Sequence, residues 1–158
     1  MKRIAALAVA IALATTTTPR AAGIFGSYLD GGSLGAGYGV GVLRRIPVIP
    51  LVSVEVRGSW VHFSDLPVSL DMFPLEVMGK VSLSSVYGAL GVGYYLLSAG
   101  SGSADNKTGG FAALGMEFSP TRLGLFAEGR YLLLDTHAAF GHIDADGFGV
   151  NAGLLLNW

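Results

Sequence analysis

Four short stretches carry residue types that do chemistry. "HFSD" places His62, Ser64 and Asp65 within four residues, the side chains of nucleophilic acyl transfer. A serine nucleophile needs its base within hydrogen-bond reach, and the base needs an orienting carboxylate. "HIDADG" sets Asp144 and Asp146 two positions apart, with oxygen ligands of the kind Ca²⁺ takes. Two carboxylates are too few to define a site, so solvated loop charges are expected there. Two Glu-x-Arg steps, Glu55/Arg57 and Glu128/Arg130, put acid and base on one side of an extended chain, one pleat apart. Cysteine is absent, which removes disulfides, thiolate chemistry and cysteine metal sites. The net charge is −1 and the Arg and Lys are scattered, so nucleic acid is not an expected partner.

Composition says what kind of element must position these residues. Of 158 residues 51% are hydrophobic and 13% charged, the latter about half the usual share of a soluble domain. That balance points to a membrane, yet beyond residue 14 no apolar run is long enough for a helical span. Lipid leaves only helices and closed barrels as spanning structures, so a barrel is expected. The N-terminus has Lys2 and Arg3, an apolar run from Ile4 to Ala14, and then small and polar residues. It reads as a secretory signal peptide over residues 1–22, with cleavage after Ala14 or after Ala22, ahead of a barrel domain over 23–158. A retained anchor helix is the alternative, disfavoured by the short run and the polar Thr15–Thr18 segment.

Eight crossings are expected: 22–29, 34–44, 51–63, 70–83, 85–97, 108–118, 123–134 and 147–158, the first the weakest. Seven strands plus an irregular first segment is the alternative. Parity is the test. Val52, Val54, Val56 and Trp60 oppose Ser53, Glu55, Arg57 and Ser59. Leu123, Leu125, Ala127, Tyr131 and Leu133 oppose Phe126, Glu128 and Arg130. Each strand keeps its charges on one face, the apolar-out, polar-in pattern of a transmembrane barrel. A soluble barrel would invert the faces. The polar face also carries Gly37, Gly39, Gly41, Gly91 and Gly93, which make room for Tyr87, Tyr95 and Phe111 in a narrow lumen. Short or proline-marked turns ("RIPVIP", "SLSS", "SPTR") alternate with mostly longer connections, which places both termini at the periplasmic end. Trp60, Phe73, Tyr94, Tyr131 and Phe148 are expected at the outer lipid interface, and Phe118 and Trp158 at the inner one.

The segments "VYGALGVGYYLL", "GGFAALGMEF", "LGLFAEGRYLLL" and the closing "GFGVNAGLLLNW" resemble the small eight-stranded outer-membrane proteins of the OmpA/OmpX type. The resemblance covers residues 22–158 and implies an all-β, eight-stranded antiparallel up-and-down transmembrane barrel in the bacterial outer membrane. It also implies that Trp158 ends an assembly signal read by the barrel-assembly machinery, although the family usually ends in Phe. Two families of outer-membrane enzymes are of similar size. Lipid A deacylases carry His-x-Ser, which neither His137 nor His142 supplies. Lipid A palmitoyltransferases use His, Asp and Ser near the outer mouth, where "HFSD" offers the composition without a geometry. His62 falls on the lipid-facing parity, so an interfacial role is expected for it and no catalytic site is assigned.

Seven charges fall on the inward parity: Glu55, Arg57, Glu76, Lys80, Glu117, Glu128 and Arg130. An eight-stranded barrel is only wide enough for side chains to fill. Buried charges must pair, so a structural polar plug is expected, with a narrow gated pore as the alternative. No cofactor or metal is expected. Asp30, Asp65, Asp71, Asp105, Asp135, Asp144 and Asp146 make the outer end acidic, and Arg44, Arg45 and Arg122 make the inner turns basic. The expected partners are outer-membrane lipid and lipopolysaccharide, the latter bridged by divalent ions, around a monomer.

Overall fold

The computed structural model describes residues 21–32, 35–64, 70–99, 102–103, 106–134, 137–138, 141–142 and 146–158. The proposed signal peptide lies outside these residues apart from its last two positions, and so do Asp65, Asp105, Asp135 and Asp144.

Eight long strands follow one another: β1 Ala21–Asp30, β2 Ala36–Ile49, β3 Val52–Phe63, β4 Leu70–Leu83, β5 Val86–Ala99, β6 Lys107–Phe118, β7 Leu123–Leu134 and β8 Gly147–Asn157. Each pairs antiparallel with its sequence neighbours, and β1 pairs with β8 from Ala21↔Asn157 to Asp30↔Phe148. The sheet therefore closes on itself, and none of the eight strands is left as an open edge. The weak first segment is a full strand, hydrogen-bonded to β8 on one side and to β2 on the other. Its small residues Ala22, Gly23 and Gly26 mute the alternation without breaking the ladder.

The largest departure from expectation lies in "RIPVIP". The prolines suggest that β2 stops at Arg44, but it continues to Ile49 in register with β3. Proline cannot donate to a ladder, and the register shift between Pro47 and Ile49 accommodates it. The reversal itself takes only Pro50 and Leu51, with Leu51 in the left-handed region at φ 72°. Proline followed by a positive φ is type II turn geometry, in which a bulky residue at the second position is strained. Pro74 stands inside β4 opposite Tyr95 of β5, while the pairing with β3 lapses between Gly58↔Leu75 and Val61↔Met72.

Turns at one end are two, two and four residues long (50–51, 84–85, 119–122), and the connections at the other end run from five to twelve residues. Both termini of the barrel lie at the short-turn end, because an even number of strands returns the chain to its start.

The faces separate as parity requires. Leu90, Val92, Leu114, Met116 and Leu125 stand on the outer surface, and Leu114 is 73% exposed. Glu55, Arg57, Glu76, Lys80, Glu128 and Arg130 are buried inside. At the long-connection end the interior holds Leu29, Val61, Phe63, Leu70, Met72 and Leu132; a second apolar group, Phe25, Leu43, Phe126 and Leu155, fills one side nearer the short turns. Rings and glycines alternate in this tight space. A Cβ at Gly37 would lie 2.7 Å from the Phe63 ring, and one at Gly93 would lie 2.6 Å from the Tyr95 hydroxyl. Those strand glycines are there because a neighbouring ring occupies the place of a side chain.

Candidate functional site: the lumen charges and an outer-face dyad

All seven inward charges named from parity lie in one interior, and the structure brings an eighth to them. Arg45 projects inward from the continued part of β2; its Nε donates to Glu55 Oε2 at 3.0 Å and its Nη1 to Glu117 Oε1 at 2.9 Å. The assignment of Arg45 to a basic inner turn is thus corrected, for the same reason that β2 does not end at Arg44. Arg44 lies on the opposite face. Odd positions of β2 face inward as far as Pro47, before the register shift, so strict parity would have found Arg45 had the prolines not been read as a stop.

With Arg45 the interior holds four acids and four bases, linked in two groups. The longer runs Lys80–Glu117–Arg45–Glu55–Arg57–Glu128. Lys80 Nζ donates to Glu117 Oε2 at 2.7 Å, and Arg57 Nε donates to Glu55 Oε1 at 2.7 Å. Arg57 also grips both oxygens of Glu128 through its two terminal nitrogens. The remaining lone pairs of Glu128 take the Tyr87 hydroxyl at 2.7 Å and Asn151 Nδ2 at 2.9 Å. The shorter group is a bidentate Arg130–Glu76 pair, to which the Tyr95 hydroxyl donates at 3.1 Å. Planar fork pairing of this kind is the strongest form of the contact.

The Glu-x-Arg steps resolve differently. Glu55 and Arg57 bond to each other, but Glu128 and Arg130 do not: Glu128 goes across the lumen to Arg57, and Arg130 to Glu76. Aromatic faces complete the desolvation. Lys80 Nζ stands 3.5 Å from the Tyr87 ring centroid, and the Arg130 guanidinium 4.4 Å from that of Phe111. Towards the short turns the interior opens into a cavity of about 450 Å³, lined by Arg45, Ser82, Ser85, Tyr87, Glu117 and Ser119 among others.

The outer face carries its own polar cluster. His62 and Asp71 are directly opposed on β3 and β4, and His62 Nδ1 lies 2.8 Å from Asp71 Oδ1. Trp60 Nε1 donates to the same oxygen at 3.1 Å. His62 does sit on the lipid-facing parity, as its position in β3 requires. The acid it meets is Asp71, across the ladder and nine residues on, and not one that spacing within "HFSD" points to. Tyr28 and Tyr38, absent from the expected interfacial set, meet nearby at a tilt of 55° with centroids 5.3 Å apart. Trp60, Tyr94, Tyr131, Phe148, Phe118 and Trp158 are exposed on the outer surface as expected, and Phe73 is partly covered. Of the "HIDADG" pair, Asp146 is exposed and Asp144 lies outside the described residues.

A closed sheet with an apolar exterior, interfacial rings and a polar, internally paired interior defines an eight-stranded antiparallel up-and-down transmembrane β-barrel. Solved structures of this class superpose on the chain. Neisserial surface protein A aligns over 89% of this chain and 96% of its own at a TM-score of 0.64 and 16% identity. OprG of Pseudomonas aeruginosa aligns over 89% and 95% at a TM-score of 0.63 and 12% identity. Ail, the attachment invasion locus protein of Yersinia pestis, aligns over 88% and 95% at a TM-score of 0.52 and 14% identity. No family model and no curated protein matches the chain. The likeness is one of fold, the small OmpA/OmpX-like barrel type.

Proposed function

We propose that the chain is an integral protein of the bacterial outer membrane, exported by its N-terminal signal peptide, with a structural or surface-interaction role and a plugged lumen. The short-turn end then faces the periplasm and the longer connections face outward. One observation carries the plug: every one of the eight lumen charges has a partner of opposite sign within the barrel. An ion crossing the barrel would have to replace these contacts and also pass the apolar layer of Leu29, Val61, Phe63, Leu70, Met72 and Leu132. Charges held this way stiffen the wall and give the lumen no mobile carrier. Trp158 is read as the end of the assembly signal, since its strand closes the barrel against β1. Lipid and lipopolysaccharide are the proposed partners of the monomer's apolar belt and acidic rim.

Single-channel recording in planar bilayers tests the plug, beside a gel of the same folded sample with and without boiling. A heat-dependent mobility shift without steady conductance is expected. Steady conductance that changes on Arg57→Gln or Arg130→Gln would instead make the lumen a pore. The cavity at the short-turn end favours that second reading only for its lower half, because it stops below the apolar layer.

A further inference from the structure

We propose that the outer face of β2, β3 and β4, near the long-connection rim, holds one zwitterionic phospholipid by its primary ammonium group, with the Asp71 carboxylate as anion and the rings of Trp60 and Tyr38 beside it. The inference rests on the membrane placement proposed above. Both donors to Asp71 meet the same oxygen. His62 Nδ1 lies 2.8 Å from Oδ1, and Trp60 Nε1 donates to it at 3.1 Å. A carboxylate only accepts, so the hydrogen of the His62 contact is on Nδ1. Among the described residues Oδ2 takes no protein hydrogen bond, and no Lys or Arg pairs with Asp71. The carboxylate is thus fixed through one oxygen and open through the other. Asp71 and His62 are each 42% exposed, on the lipid-facing parity. A carboxylate at the edge of hydrocarbon is costly unless a cation meets it.

Register sets the rest of the site. Asp71 opposes His62, His62 opposes Tyr38, and Tyr38 opposes Tyr28, so four side chains follow one another around the wall. Trp60 shares their face two positions before His62, with the two ring centroids 6.1 Å apart. Trp60 is exposed, and Tyr38 is 63% exposed. Open rings beside a carboxylate are the chemistry that holds an ammonium ion, by cation–π attraction and by charge-assisted hydrogen bonds to oxygen. A magnesium ion would need several oxygens in an octahedron, and the rings supply none. A purely anionic headgroup would meet like charge. In a zwitterionic head the phosphate follows the ammonium by two carbons and needs donors. Tyr38 and Tyr28 carry phenolic donors one and two strands beyond His62, at about 4.8 Å per strand. Such rings settle where hydrocarbon meets headgroups. The acyl chains then run along the apolar wall, where Val40 and Ile24 are exposed on β2 and β1. A girdle of interfacial rings alone would hold any lipid of the same chain length equally, whereas this site discriminates by headgroup.

The full chain, folded in detergent with EDTA present, would be given equal amounts of phosphatidylethanolamine and phosphatidylglycerol with identical acyl chains. Native mass spectrometry would then count the lipid retained on the barrel. Retention of one phosphatidylethanolamine, favoured over phosphatidylglycerol by about tenfold, is expected, the size of one hydrogen bond to a charged group. Asp71→Asn should erase the preference while the heat-dependent gel shift persists. Asp30→Asn removes another exposed acid at the same end and should leave the preference unchanged. Equal retention of the two lipids by the wild-type chain would overturn the site. Equal loss of preference in both variants would also overturn it, leaving only the diffuse charge of the rim. So would a preference that appeared only when magnesium was restored, which would mean an ion bridge. A wild-type chain without a gel shift would instead overturn the barrel placement on which the site rests.

Discussion

At the scale of single residues, the barrel depends on partners that sequence spacing does not reveal. Glu76 and Arg130 are 54 positions apart and both buried, yet they share two hydrogen bonds. Removing one member leaves an unpaired charge in a closed lumen, a change that costs about 3–5 kcal/mol. Arg130→Met should therefore lower the unfolding free energy of the folded barrel by about that amount, followed by tryptophan fluorescence in urea. The double variant Glu76→Leu/Arg130→Met should recover most of the loss, because a well-packed apolar pair replaces the ions. If the double variant is as unstable as the single one, the pair holds more than charge. Gly37 gives a steric counterpart. With the Phe63 ring 2.7 Å from where its Cβ would be, Gly37→Val should destabilise by about 1–3 kcal/mol in the same titration.

At the scale of strands, parity does most of the work, and it was legible. The expected spans of β4 and β7 coincide with those observed, and the seven charges placed inward by alternation do face inward. Strand ends were less legible. Proline is a dependable stop only where its missing N–H would break the ladder, and the register shift in β2 relieves that constraint. The misplaced end hid Arg45, and with it the fourth base of the lumen. Parity also makes a sharp prediction. Leu114 faces outward near mid-strand, and Leu114→Arg should cost about 2–4 kcal/mol in a lipid vesicle. The same change would be nearly free if that face met water, so equal stability of variant and parent would reverse the barrel. The first strand adds another expectation. Ala21 and Ala22 pair with Asn157 and Leu156, so signal cleavage after Ala14 keeps two rungs that cleavage after Ala22 removes. We expect N-terminal sequencing of the mature protein to begin ahead of Ala21.

For the whole molecule, the eight-strand closure couples the lumen to the membrane. A cylinder this narrow must fill with its own side chains, and the filling differs by level. Apolar residues close the end with long connections, ion pairs cross the middle, and a water-accessible cavity enters from the short turns. Asp30, Asp71 and Asp146 all lie at the long-connection end, so the rim should favour divalent cations. Magnesium removal is expected to weaken association of the folded protein with lipopolysaccharide, measured by co-sedimentation. Association that survives chelation would mean that the apolar belt alone supports it.

The sequence by itself determined the strands and their two faces, because period-two alternation is a local property of extended chain. It also determined the class, since a chain this apolar with no later helical span has few other ways to satisfy its backbone in lipid. Only the tertiary structure decided which partner each inward charge takes, because alternation fixes a face and not a neighbour. It alone paired Glu128 with Arg57 instead of its neighbour Arg130, and set Asp71 against His62. Those contacts are made across ladders and across the lumen, where closure brings together residues that the chain itself holds far apart.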